Sequence, residues 1–283
     1  MSKPPLSLHI LDSLSEPGGS HNEDRVFHSS NTAWILDGAS GLTDSRRTES
    51  ASDAVWLVDT AVQKLHTVTE SSLTVQLESV IRALQSIYPS QGFALEKFDV
   101  PSAVGTGIRL ENNRLDFLHF GDCALVVVDP DYSELYTSAP SALQRFDRDV
   151  INTMSTVRLH KDLDFAGARN EVLPLLQANR ARANSPDGYG NISVFGETPQ
   201  PSISGTLGVR PGTTGLIATD GFYALVDTYR AYNPVNLVKA AQIDGLRGLY
   251  DKLRELEEQD SECTQFPRLK QHDDASALFF EIR

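Results

Sequence analysis

Apolar positions along the chain switch between two periods. Residues 6–11, 26–28 and 32–36 read as extended segments, the last a short apolar run ending in Asp37-Gly38. From about Thr48 the period lengthens, with Ala51, Ala54, Val55, Val58, Ala61, Val62 and Leu65 at helical spacing. Leu73, Leu77, Val80, Ile81, Leu84 and Tyr88 predict a second helix, stopped by Pro89. The short connection predicts that the two helices lie antiparallel and side by side.

Strand periods return after Pro101. Residues 102–110, 115–120, 124–128 and 135–137 are separated by Asn112-Asn113, Gly121-Asp122 and Pro130-Asp131, which predicts a meander with tight turns. Residues 143–154 and 165–183 are helical in period, with Pro174 interrupting the second stretch. Residues 184–189 read as loop, 215–219 as a strand ending in Asp220-Gly221, 234–258 as helical, and 275–282 as a last strand. Paired helices and hairpin-connected strands argue against a strictly alternating parallel array. The expected class is α+β: two antiparallel sheets back to back with helix pairs outside, a four-layer αββα sandwich. No Gly-, Pro- or Ser-rich linker divides the chain, so residues 1–283 are expected to form a single domain.

Composition narrows the function. The 283 residues are 40% hydrophobic and 22% charged, with a net charge of −13. Such an acidic chain lacks the basic footprint that nucleic acids or anionic membranes need. Two cysteines, Cys123 and Cys263, exclude a disulfide scaffold and a cysteine-rich zinc site. No long apolar run follows Met1, so neither a secretory signal nor a membrane span is expected, and a cytoplasmic setting follows.

The acids are not spread evenly. Glu23-Asp24, Asp37-Gly38, Gly121-Asp122, Asp220-Gly221 and Asp273-Asp274 each fall at a predicted strand end. Any one Asp-Gly is an ordinary β-turn. If the ends converge, two bare carboxylates ~4 Å apart repel by ~4 kcal/mol at an effective dielectric near 20. Such a group must take up protons or cations, and carboxylates without a histidine or cysteine cluster suit Mg²⁺ or Mn²⁺.

Taken in order, Asn22-Glu23-Asp24, Trp34-Ile35-Leu36-Asp37-Gly38, His119-Phe120-Gly121-Asp122-Cys123-Ala124, Ile217-Ala218-Thr219-Asp220-Gly221 and Asp273-Asp274-Ala275-Ser276-Ala277-Leu278 resemble the PPM family, the metal-dependent type 2C serine/threonine protein phosphatases. The resemblance runs from about Ser13 to Arg283 and implies the same αββα sandwich, with a dinuclear site between the sheets. It implies that Asp37 bridges two ions and that the Gly38 carbonyl touches one. Asp220 and Asp273 would hold the other ion, and Asp274 stands where the family usually has Asn. Glu23 and Asp24 would act mainly through metal-bound waters. Asp122 matches an acid serving a third, weaker ion in some bacterial members. The implied activity is hydrolysis of phosphoserine or phosphothreonine in a phosphorylated protein by a metal-bound hydroxide, with Asp37, Asp220 and Glu23 in catalytic roles.

Two positions depart from the family pattern. Many members carry an arginine four residues before the first-motif Glu, where this chain has Gly19; many have His after the first Asp-Gly, where this chain has Ala39. Arg46 and Arg47 are the nearest cations in sequence to take over the phosphate contact, or else solvated loop charges. His21 is a candidate for the missing acid, or else a surface residue. A pseudophosphatase that uses the fold for binding, and a hydrolase of small phosphate esters, therefore stay open. The sequence leaves the oligomeric state open as well.

Overall fold

The computed structural model describes residues 5–43, 46–68, 71–89 and 95–283. The first half of the chain gives β1 (Leu8–Glu16), β2 (Asp24–His28), β3 (Thr32–Ala39), α1 (Asp53–His66), α2 (Leu73–Ile87), β4 (Ser102–Glu111), β5 (Arg114–Phe120), β6 (Ala124–Val128) and β7 (Glu134–Thr137). Three helices follow, α3 (Ala142–Lys161), α4 (Phe165–Glu171) and α5 (Leu173–Ala181). The chain then forms β8 (Ile192–Ser193), β9 (Ile203–Gly208), β10 (Thr214–Ala218), α6 (Asp220–Asp227), α7 (Pro234–Gln259) and β11 (Ala275–Ile282).

The strands make two antiparallel sheets. One has the order β1-β11-β10-β6-β7; the other has β2-β3-β4-β5-β9, with the short β8 also paired to β4. The central strands read as continuous apolar runs because both of their faces are buried. In β3, Ala33 and Ile35 face the other sheet while Trp34 and Leu36 face α1 and α2. In β10 and β11, Ile217, Leu278 and Phe280 face the inter-sheet core, and Leu216, Ala218, Ala277 and Phe279 meet α6 and α7. Each of the leucine, isoleucine and phenylalanine side chains taken out of water contributes about 1.5–3 kcal/mol. The result is helices, sheet, sheet and helices, the four-layer αββα arrangement.

Local signals set the helix ends. Ser52 caps α1 by accepting from the Val55 N–H, and Ser141 with Gln144 forms a capping box on α3. Pro174 does interrupt the 165–183 stretch, which breaks into α4 and α5 at Val172. β8, β9 and α6 are additions to what the periodicity predicts. The three helices α3–α5 carry their own small apolar cluster around Val150, Met154, Ala168 and Val172. Among the described residues no helix is long and apolar enough to cross a membrane.

Candidate active site

Antiparallel register gathers the acids at one end of the sandwich. In the first sheet Ala218 at the end of β10 pairs with Ala277 near the start of β11 and with Ala124 at the start of β6. The residues just beyond these pairs are Asp220, Asp273-Asp274 and Asp122, so a single sheet edge carries all of them. In the second sheet Asp24 and Asp37 are direct partners across β2 and β3. Like charges directly opposite on adjacent strands destabilise a sheet, so this pair marks a place where the fold tolerates strain.

Backbone contacts draw the two edges together. The Gly38 N–H donates to the Glu23 carbonyl at 3.1 Å, and a Cβ at Gly38 would lie 2.5 Å from that oxygen. A side chain at Gly221 would run into the Asp274 carbonyl. Asp274 itself is occupied: Oδ1 accepts from the Gly18 N–H at 2.7 Å and Oδ2 from the Glu23 N–H at 2.6 Å. It fastens the β1–β2 loop, which leaves Asp273 as the acid of the pair that faces the cavity. Thr219 ties the sheets further, its hydroxyl donating to Asp24 Oδ2 at 2.8 Å while accepting from the Ser276 N–H at 3.0 Å.

A cavity of about 820 Å³ opens over this end. Its floor includes Asp37, Gly38, Asp122, Asp220 and Asp273, and its walls are α3, α5 and the loop before β11. Burial raises the carboxyls of Asp37, Asp24 and Asp122 well above the ordinary range, and their acidic neighbours push further in the same direction. Asp220 is raised by burial and then by Asp273, while a hydrogen bond with Asp37 works the other way. Asp220 also opens α6, where the helix N-terminus favours negative charge.

Among the described residues no group of His, Cys, Asp or Glu stands ready-made around a metal ion. The donor chemistry nonetheless fits a hard divalent cation. It consists of carboxylates and a carbonyl in a buried, mutually repelling group, and a dication among them relieves that repulsion.

The remaining predicted residues lie apart from the floor. Glu23 Oε1 accepts from the hydroxyls of Ser40 at 2.6 Å and Ser52 at 2.5 Å, beside the end of β3. His21 lies 3.5 Å from Glu23 Oε1, outside the cavity lining. Neither Arg46 nor Arg47 reaches the cavity. The Arg47 guanidinium is paired with the Asp99 carboxylate and also donates to the Asp99 carbonyl at 2.8 Å, with a side chain only 9% exposed. Arg46 is exposed, and its Nη1 lies 3.5 Å from the Ala51 carbonyl. Proximity in sequence was the ground for expecting them here, and Asp99 claims Arg47 instead.

The walls supply groups that the sequence reading missed. Asp147 on α3 has its carboxyl raised to about 7 by burial and by Asp220, against the pull of Arg180 and Lys270. Arg180 on α5 donates to the Ser40 carbonyl at 3.3 Å and to Ser102 Oγ at 3.2 Å. Lys270 Nζ donates to Asp273 Oδ1 at 2.5 Å. A basic residue three positions before Asp273 was a readable signal for Lys270; nothing in the polar pattern of α3 marked Asp147.

No family model and no curated protein sequence matches the chain. Solved structures do match, over nearly full length. The Mycobacterium tuberculosis serine/threonine phosphatase PstP has a TM-score of 0.58 at 13% identity, covering 97% of this chain and 98% of that one. The catalytic domain of PstP in complex with two manganese ions has a TM-score of 0.54 at 15% identity, covering 98% and 99%. The PPM Ser-Thr phosphatase MsPP from Mycobacterium smegmatis, in complex with cacodylate, has a TM-score of 0.51 at 13% identity, covering 98% and 97%. The chain has the fold of the PPM serine/threonine phosphatases.

Proposed function

We propose that this chain is a divalent-metal-dependent phosphatase acting on phosphoserine or phosphothreonine in a protein, with residues 1–283 forming one catalytic unit. The observation that carries the reading is the convergence of Asp37, Asp122, Asp220 and Asp273 from both sheets on the floor of one cavity, in a fold shared with such enzymes. Asp37, Asp220, Asp273 and the Gly38 carbonyl are the residues to hold two Mg²⁺ or Mn²⁺ ions. Asp122 extends the set toward a third ion, and Asp24 and Glu23 support it from behind the strands. Bound ions supply Lewis-acid stabilisation of the phosphoryl oxygens and an acidified water as nucleophile.

The chain's own part is to place and shield the phosphate. Arg180 borders the end of β3, donating to the Ser40 carbonyl close to the acids. The walls formed by α3 and α5 border the acids. At −13 overall, the chain is suited to neither nucleic acid nor an anionic lipid surface as partner.

One observation favours a binding module instead: Gly19 and Ala39 stand where the resembling family has substrate-handling groups, and Arg46 and Arg47 do not take their place. Turnover of p-nitrophenyl phosphate with and without Mn²⁺, followed by release of phosphate from phosphoserine and phosphothreonine peptides, separates the readings. Turnover that needs Mn²⁺ and stops in EDTA is the expected result. Calorimetric uptake of Mn²⁺ without any turnover assigns the chain to the binding class.

A further inference from the structure

Five carboxylates, Asp24, Asp37, Asp122, Asp220 and Asp273, crowd one end of the sandwich. Among the described residues the cation in contact with them is Lys270. Its ammonium donates to Asp273 Oδ1 at 2.5 Å, and that carboxylate is the sole hydrogen-bond partner the described residues give it. The side chain is 48% exposed and lines the cavity.

The loop that carries Lys270 is built rather than loose. Asp260 accepts backbone N–H bonds from Thr264, Gln265 and Phe266, and its carboxylate also accepts from Arg268 Nη1 at 2.9 Å. Arg268 donates further to the carbonyls of Phe266, Glu257 and Asp260. Arg254 Nη2 donates to the Asp273 carbonyl at 2.7 Å. These bonds anchor the backbone on both sides of Lys270.

We propose that Lys270 is the phosphate-gripping cation of this site, holding Asp273 until a divalent ion claims that carboxylate and then turning to the phosphoryl oxygens. The proposal rests on the phosphatase reading and names a residue for the contact that Gly19 cannot make. The choice over Arg180 is geometric. Arg180 already spans the Ser40 carbonyl and the Ser102 hydroxyl, whereas the one partner of Lys270 is an oxygen that a metal ion would take. A lysine ammonium on a flexible stem also suits two successive partners better than a planar guanidinium.

Two opposite effects follow. Lys270 competes with the metal, so Lys270→Met should bind Mn²⁺ more tightly, by up to about tenfold, in calorimetry with no substrate present. The same change removes a charge-assisted hydrogen bond to phosphate. Inorganic phosphate binding to the Mn²⁺-loaded protein should then weaken by about 10- to 150-fold. KM for p-nitrophenyl phosphate should rise with a smaller change in kcat. Lys270→Arg should restore most of the phosphate affinity, and Lys270→Gln provides a second neutral variant should the methionine disturb folding. Arg180→Met is read alongside. Unchanged Mn²⁺ and phosphate affinities in both neutral variants overturn the assignment, as does a phosphate defect confined to Arg180→Met. If the wild-type protein takes up no Mn²⁺, the phosphatase reading falls and takes the Lys270 assignment with it; if Mn²⁺ binds and only the Lys270 effects are missing, the phosphatase reading stands.

Discussion

Asp220 sits where function and stability pull in opposite directions. Burial and Asp273 raise its carboxyl above the ordinary 3.8, so the folded protein binds that proton more tightly than the unfolded chain does. Stability is then lost as pH rises above that value. Asp220→Asn should therefore raise the Tm of the metal-free protein at pH 7 while abolishing Mn²⁺-dependent turnover; differential scanning calorimetry and the p-nitrophenyl phosphate assay check the two halves. His119 has the opposite sign. It is buried and accepts or donates one hydrogen bond with Thr106 Oγ1 at 2.8 Å, and burial lowers its pKa from the ordinary 6.5 to about 4. Its contribution is complete above pH 6.5 and is lost as pH falls toward 4, about 3 kcal/mol in all. The difference in urea stability between wild type and His119→Gln should shrink over that range, and a constant difference would contradict the assignment. At this scale the floor acids were readable because each follows or precedes an apolar run and stands beside a glycine or a second aspartate. Asp147 and Arg180 were not, because the path of the chain outside the sheets decides where they end, whereas Lys270 stands three positions before Asp273.

Whole elements fix Arg47 more firmly than its neighbours in sequence do. Its guanidinium joins the segment before α1 to Asp99, just ahead of β4, and its N–H donates to Asp53 in the first turn of α1. Arg47→Met should therefore lower stability by about 1–3 kcal/mol, between the values for exposed and buried pairs, and leave KM for a phosphoester unchanged. A raised KM with normal stability would return Arg47 to the substrate site. The same reasoning explains which elements the periodicity showed. β3, β6, β10 and β11 are buried on both faces, and α1 and α2 present a continuous apolar stripe, so their patterns are strong. β9 is Ile203–Gly208, an edge strand with two glycines and several exposed positions, and its pattern is correspondingly weak. α6 has eight residues and begins at the Asp220-Gly221 corner, so a turn signal hides its start. What made it a helix is tertiary: Phe222 and Leu225 are buried against the first sheet.

Across the whole molecule, the acids belong to two sheets that meet at this end through loops and through Thr219. Asp37 and Asp24 come from the second sheet, Asp220, Asp273 and Asp122 from the edge of the first. An ion held by Asp37 and Asp220 therefore joins the layers, and it binds the folded chain only, because the unfolded chain does not bring these residues together. Binding of that kind stabilises by RT ln(1 + [L]/Kd), about 2.7 kcal/mol at a hundredfold excess over Kd. For a chain of 283 residues that amounts to a Tm increase of about 4–5 °C, taking ~2.1 cal/mol/K of unfolding entropy per residue. Mn²⁺ titrated against the wild-type protein in thermal unfolding should give this rise, and EDTA should reverse it. Asp37→Asn should remove the rise, because it withdraws the second sheet's main ligand. Asp122→Asn should keep most of it, because Asp220 and Asp273 still supply the first sheet's side. Equal loss in both variants would mean that the ion does not bridge the sheets through Asp37, and a rise that survives Asp37→Asn would place it wholly on the first sheet's edge.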